Sequence, residues 1–167
     1  SDLQSRVAKV RPYHLLPSVI AGIRQRNLSV ILRPDSDGDI VVADRVRELS
    51  RAAWLLRANG IGDITCVIDN EPNLGSKPVP PDYWQRVSQV VTGLYYGHHD
   101  TQPLAGTVLY ASPPLAVAQR DEEWYEAGKD ILPAFDCIAF HAYGQLNADL
   151  VHRSLALAKR YGEIGRA

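Results

Sequence analysis

Two hydrophobic rhythms alternate along the chain. Segments 28–34, 65–69, 107–111 and 135–144 are short runs rich in β-branched and aromatic residues, the pattern of buried strands. Around them, apolar residues return every three or four positions. Segment 16–26 places Leu16, Val19, Ile20 and Ile23 on one helical face, with Pro17 in the first turn and Asn27 as a stop. Segment 44–58 carries a stripe of Val46, Leu49, Ala53 and Leu56 and closes on Asn59-Gly60. Asp82 opens a helix over 83–96, and further helices are predicted over 122–132 and 149–161. Residues 1–14 show no clear period. Strands alternating with helices imply βαβ units and a parallel sheet, so the predicted fold class is α/β. The recurrence has no sequence repeat, which fits a barrel or a doubly wound sheet better than a solenoid.

The predicted strands share a second property: each ends in polar groups. Arg33 precedes Pro34, Asn70 and Glu71 precede Pro72, Tyr110 closes the third, and His141 and Tyr143 close the fourth. These tips lie roughly 30–40 residues apart, the length of one βα unit. Proline lacks an N–H, so strand pairing stops there and the preceding side chains are held at a rim. His141 and Tyr143 are two apart and face the same side of their strand. In a barrel the C-terminal strand ends converge on one mouth, and all six side chains would line it. Each also has a plainer reading. Arg33 fits a surface ion pair, His141 a hydrogen-bonded structural residue, and Tyr110 a packing residue with a wetted hydroxyl. Glu71 follows so apolar a run that a purely structural carboxylate would need a partner.

Composition narrows the partners. The chain has 167 residues, enough for one domain spanning 1–167, and its 46% hydrophobic and 22% charged content is that of a folded globule. A net charge of -1 offers no attraction to nucleic acid or to an anionic membrane. No run approaches the roughly 18 apolar residues of a spanning helix. The polar start Ser1-Asp2-Leu3-Gln4-Ser5 lacks signal-peptide character, and no compartment is assigned. Asp35-Ser36-Asp37-Gly38-Asp39 superficially suggests a calcium loop, but the twelfth position is Val46 rather than Glu, so a solvated loop is expected. Neither a metal nor a cofactor is implied.

Asn70-Glu71-Pro72 resembles the Asn-Glu-Pro signature that closes the fourth strand of the clan A retaining glycoside hydrolases, which are (β/α)8 barrels. The likeness extends further. Asp136 opening a strand that closes on His141-Ala142-Tyr143-Gly144 resembles their sixth strand, and Asp82-Tyr83-Trp84 resembles the start of the helix after the acid/base strand. The match covers about residues 28–161, with the strands in the register of the third to the sixth. The resemblance implies a TIM-type barrel and a carbohydrate substrate. Glu71 would be the general acid/base, Asn70 the ligand of the sugar 2-hydroxyl, and His141 and Tyr143 neighbours of the sugar subsite. Arg33 and Tyr110 would help hold the sugar. Trp84 and Trp124 would stack on sugar faces or pack between helices. In this register another strand separates Cys66 from Cys137 by about two strand spacings, too far for a disulfide, and both are expected to be small buried hydrophobes.

One departure matters. A retaining glycosidase needs a second carboxyl group about 5–5.5 Å from the first. In the clan it is a Glu at the tip of the seventh strand. Here Glu163 falls at the beginning of that segment rather than at its tip, and it is not assigned the role. Strands one, two, seven and eight have no counterpart, leaving a partial barrel of about four βα units. Three accounts stay open: a piece of a longer enzyme, ends incompletely represented, or a natural half barrel. In the last case a homodimer would close the barrel and hide its open edges. Two other functions are weighed against the glycosidase. One is a non-catalytic glycan-binding or scaffold half barrel; the other is an α/β enzyme acting on a different substrate.

Overall fold

The computed structural model describes residues 7–35, 39–97, 107–116, 120–141 and 148–162. Strands β1 (Val7–Val10), β2 (Ser29–Leu32), β3 (Asp63–Val67) and β4 (Thr107–Ala111) form one parallel sheet in the order β1-β2-β3-β4. Helix α1 (Pro17–Gln25) links the first pair, α2 (Val42–Ala58) the second and α3 (Tyr83–Gly97) the third. A shorter parallel pair follows, β5 (Leu115–Ala116) with β6 (Phe140–His141), with α4 (Asp121–Ala127) between them and α5 (Ala148–Gly162) after. The two sheets are joined at the end of β4. Ala111 bridges Cys137 in parallel, and the Ser112 N–H donates to the Cys137 carbonyl at 3.0 Å. The described chain is thus an α/β fold built on a four-stranded parallel sheet.

Register decides which side chains the helices bury. Ala8, Val30, Ile64 and Val108 form one row across the sheet, and Val10, Leu32, Cys66 and Tyr110 form another on the same face. These rows pack with Ile20 and Ile23 of α1, Leu49 and Leu56 of α2, and Val87 and Val90 of α3. Each fully buried aliphatic side chain contributes about 1.5–3 kcal/mol relative to exposure. The alternate row, Lys9-Ile31-Thr65-Leu109, points the other way, and Leu109 keeps 40% of its surface exposed. Among the described residues, then, the helices of the core gather on one face of the sheet.

Helix ends follow local chemistry. Asn27 takes φ 50, and the Leu28 N–H turns back to the Ile23 carbonyl at 3.1 Å, stopping α1 where the sequence places the stop. Gly60 at φ 78 ends α2 in the same way, with the Ile61 N–H on the Leu56 carbonyl at 3.1 Å.

Four expectations change. The unpatterned N-terminal segment contains β1, which Lys9 interrupts and whose four residues are too few to show a period. A strand therefore precedes the one expected to be first. The helix expected over 122–132 stops at Ala127 with Gly128, and Pro133 holds the next turn as a 3-10 helix over Leu132–Ala134. Of the strand expected over 135–144, the described part 135–141 pairs at Cys137 and at Phe140–His141. Cys137, expected to be buried, is exposed, whereas Cys66 is buried; both are free thiols. No helix among the described residues is long and apolar enough to cross a membrane.

Candidate functional site

Past Val67 the chain leaves the β3 ladder but still runs beside the segment that follows β4. The Ile68 N–H donates to the Ala111 carbonyl at 3.3 Å, and the Glu71 N–H donates to the Pro114 carbonyl at 3.1 Å. Between these anchors Asp69 is fully buried. Its Oδ1 accepts the Asn70 N–H at 2.8 Å, and its Oδ2 accepts the Tyr83 hydroxyl at 2.9 Å. A buried carboxyl is tolerable only when bonded in this way. Burial first, and then the charge of Asp69, hold the Tyr83 phenol well above its ordinary range, so it remains a donor. Arg45, itself buried, donates from Nη1 to the Ile68 carbonyl at 2.9 Å and pins the same turn from α2.

Glu71 then takes φ 49, the left-handed region. For a residue with a Cβ this costs about 1–2 kcal/mol, so the surrounding contacts must enforce it. The turn ends the strand and leaves the carboxyl 6% exposed, with Oε1 2.9 Å from Nδ1 of His141, close enough for a charge pair but not aligned as a hydrogen bond. His141 arrives from β6, where it is the ladder partner of Ala116 on β5. On the opposite edge of β5 the buried Asn73 carboxamide donates to the Ala116 carbonyl and accepts its N–H, both at 2.8 Å. Asn70 is half-buried, and its Oδ1 is a buried acceptor without a protein donor. Such an atom costs about 1–3 kcal/mol unless a partner is supplied, and a ligand hydroxyl is a partner of the right kind.

Of the residues singled out from sequence, the structure brings Glu71 and His141 together, with Asn70 preceding Glu71 in the chain. Arg33 lies elsewhere, lining a cavity of about 410 Å³ with Lys9, Val10, Arg11, His14 and Val19, in which none of the three takes part. Tyr110 does not reach a rim. It is 2% exposed in the helix-facing row beside Cys66, its ring edge-on to Tyr95 at 4.9 Å, and burial raises its phenol. The alternation of the strand turned it inward, so its reading as a packing residue holds. Tyr143 lies outside the described residues. Trp84 and Trp124 are not sugar platforms. Both are buried, set edge-on to Tyr83 at 5.5 and 4.9 Å, and Trp124 Nε1 donates to the Lys77 carbonyl at 2.9 Å.

Sequence reasoning passed over Asp69 and Asn73, the two residues that hold the turn. A signal was present. Two further polar groups flank Asn70-Glu71 after a strictly apolar run, and each had to find a partner on burial. Among the described residues no group of three or more His, Cys, Asp or Glu side chains converges as a metal site. Comparisons with protein-family models, with curated proteins and with solved structures found no match.

Proposed function

We propose that this chain is part of a carbohydrate-active (β/α) barrel of the retaining glycosidase type, with Glu71 as general acid/base. One observation carries the reading: the Glu71 carboxyl is buried with Oε1 2.9 Å from Nδ1 of His141, past the C-terminal end of a parallel strand, and the residue before it, Asn70, holds a buried Oδ1 without a protein donor. That is where α/β barrels hold their reacting groups. The gathering of core helices on one sheet face supports a barrel over a doubly wound sheet, which has helices on both faces. In the first step Glu71 would give its proton to the departing glycosidic oxygen while a second carboxylate, from outside the described residues, bonds to the anomeric carbon; in the second, water displaces that carboxylate and gives its proton to Glu71. His141 orients the carboxyl, and Asn70 accepts a hydrogen bond from the sugar 2-hydroxyl. Arg33 serves, on this reading, a more distant part of a long saccharide.

A second reading is favoured by one contact. Asp69, the carboxyl nearest in sequence, is fully buried with its oxygens on Tyr83 and Asn70 and is not given the nucleophile's role. Unless another Glu reaches the mouth from further chain or from a second copy, the same site binds glycan without cleaving it.

The test is a panel of aryl glycosides and natural oligosaccharides on the wild type and on Glu71→Gln. The variant should lose cleavage of natural saccharides by about 10²–10⁴-fold, the usual worth of general acid–base catalysis. It should keep more activity on substrates whose leaving group needs no proton. Labelling by a fluoro-sugar inactivator decides between the readings, because only a nucleophile is trapped. Absence of hydrolysis, labelling and glycan binding together would overturn both.

A further inference from the structure

We propose that Asn73 is a positioning residue that sets the approach of Glu71 to His141. Glu71 and His141 belong to segments on opposite edges of β5, the Glu71 segment held at Pro114 and His141 held at Ala116. Two strand spacings amount to about 9.6 Å, so the side chains meet over β5 only if both edges keep register. On the Glu71 side backbone pairing gives one bond, the Glu71 N–H on the Pro114 carbonyl at 3.1 Å, and then stops. The chain turns left-handed at Glu71, and Pro72 has no N–H to give. The Asn73 carboxamide takes over. With one donor and one acceptor at 2.8 Å each, it reads both backbone groups of Ala116 as a neighbouring strand would.

The identity of the side chain is dictated by that double contact. Aspartate keeps the acceptor for the Ala116 N–H but turns a second oxygen toward the Ala116 carbonyl. Glutamine is one methylene too long for a fully buried slot. A further bond on this loop, Trp124 Nε1 on the Lys77 carbonyl, lies four residues on and holds the loop body rather than the turn. Asn73 therefore adds, to the single Glu71 N–H bond on Pro114, the side-chain contact that holds the strained turn against β5 itself. The claim concerns the geometry of the pair and rests on the glycosidase reading only for what that pair does.

The experiment uses the whole labelled chain and no sugar. In the wild-type background Glu71→Gln should displace the ring resonances of His141. In an Asn73→Ala background the same substitution should leave them in place, because the two groups no longer meet; Asn73→Asp should behave likewise. Equal displacement in all three backgrounds would overturn the proposal, since a clasp with a merely structural role would leave the pair coupled. If the Asn73 variants fail to fold, hydrogen exchange in the unaltered protein decides. The Ala116 amide should exchange at least about fivefold more slowly than a free amide, the factor expected of one retained hydrogen bond. Exchange at the free rate would refute the clasp. Loss of the glycosidase reading leaves these outcomes unchanged, so the two can fail separately.

Discussion

Replacing Tyr83 by Phe removes a single oxygen from the buried wall behind the site. The ring stays, and with it the edge-on contacts to Trp84 and Trp124 at 5.5 and 4.9 Å, so no cavity opens and the loss of apolar burial is close to nil. What goes is the 2.9 Å hydrogen bond to Oδ2 of Asp69, a carboxyl with no exposed surface. A hydrogen bond to a charged group is worth about 1.5–3 kcal/mol, and here the abandoned oxygen has no water-facing side to turn to. We expect Tyr83→Phe to lower the unfolding free energy by about 2 kcal/mol, through a reduced urea midpoint at unchanged slope. The loss should vanish in an Asp69→Asn background if the effect belongs to this pair, because a neutral amide needs the hydroxyl far less. A loss below about 0.5 kcal/mol, or an equal loss in both backgrounds, would refute the argument that Tyr83 carries the Asp69 carboxyl. Because Oδ1 of Asp69 fixes the Asn70 N–H, the same variant should also weaken glycan binding at the proposed site.

Two glycines should respond with opposite sign. Gly128→Ala puts a Cβ 2.4 Å from Cε2 of the buried Trp84 ring and should cost about 1–3 kcal/mol by chemical denaturation. Gly22→Ala lies inside α1 with nothing within 4 Å and should gain about 0.5–1 kcal/mol. A gain at Gly128 would show that the Trp84 ring can move aside. Burial pushes the Cys66 thiol up to about 12 from 9.0. The folded state then keeps a proton that the unfolded state loses above pH 9, so stability is complete below that pH and falls as pH rises. The slope is about 1.4 kcal/mol per pH unit, or roughly 4 kcal/mol across the window. Between pH 9 and 10 Cys137 and the raised tyrosines add to this slope, and Cys66→Val should flatten it by the share of one thiol; an unchanged slope would assign it elsewhere.

The alternation of strands and helices was legible because it rests on burial, which repeats. Val30, Leu32, Ile64 and Cys66 recur with period two, and the helices around them recur near 3.6. The strand Val7–Val10 was not legible. Its exposure alternates over only four residues, and Lys9 occupies one of them. Within the site, Asn70 and Glu71 were found because polar groups after an apolar run and before a proline have few places to go. Tyr110 failed for the opposite reason: one residue of register decides whether a tyrosine meets the helices or the rim, and sequence does not fix that parity at a strand end. Asn73 and Asp69 stood in the sequence as polar groups beside an apolar run, but their backbone partners at Ala116 and Asn70 leave no trace in side-chain pattern.

The sheet face that carries Lys9, Ile31, Thr65 and Leu109 has a thermodynamic corollary. Any molecule that seats on it in the folded state, and ignores the unfolded chain, shifts the folding equilibrium by mass action. At a hundredfold excess over its dissociation constant the shift is about 2.7 kcal/mol. If that molecule is another copy of the chain, the melting temperature ceases to be a constant and climbs with the concentration in the cuvette. Reported stabilities would then have meaning only beside the protein concentration at which they were taken.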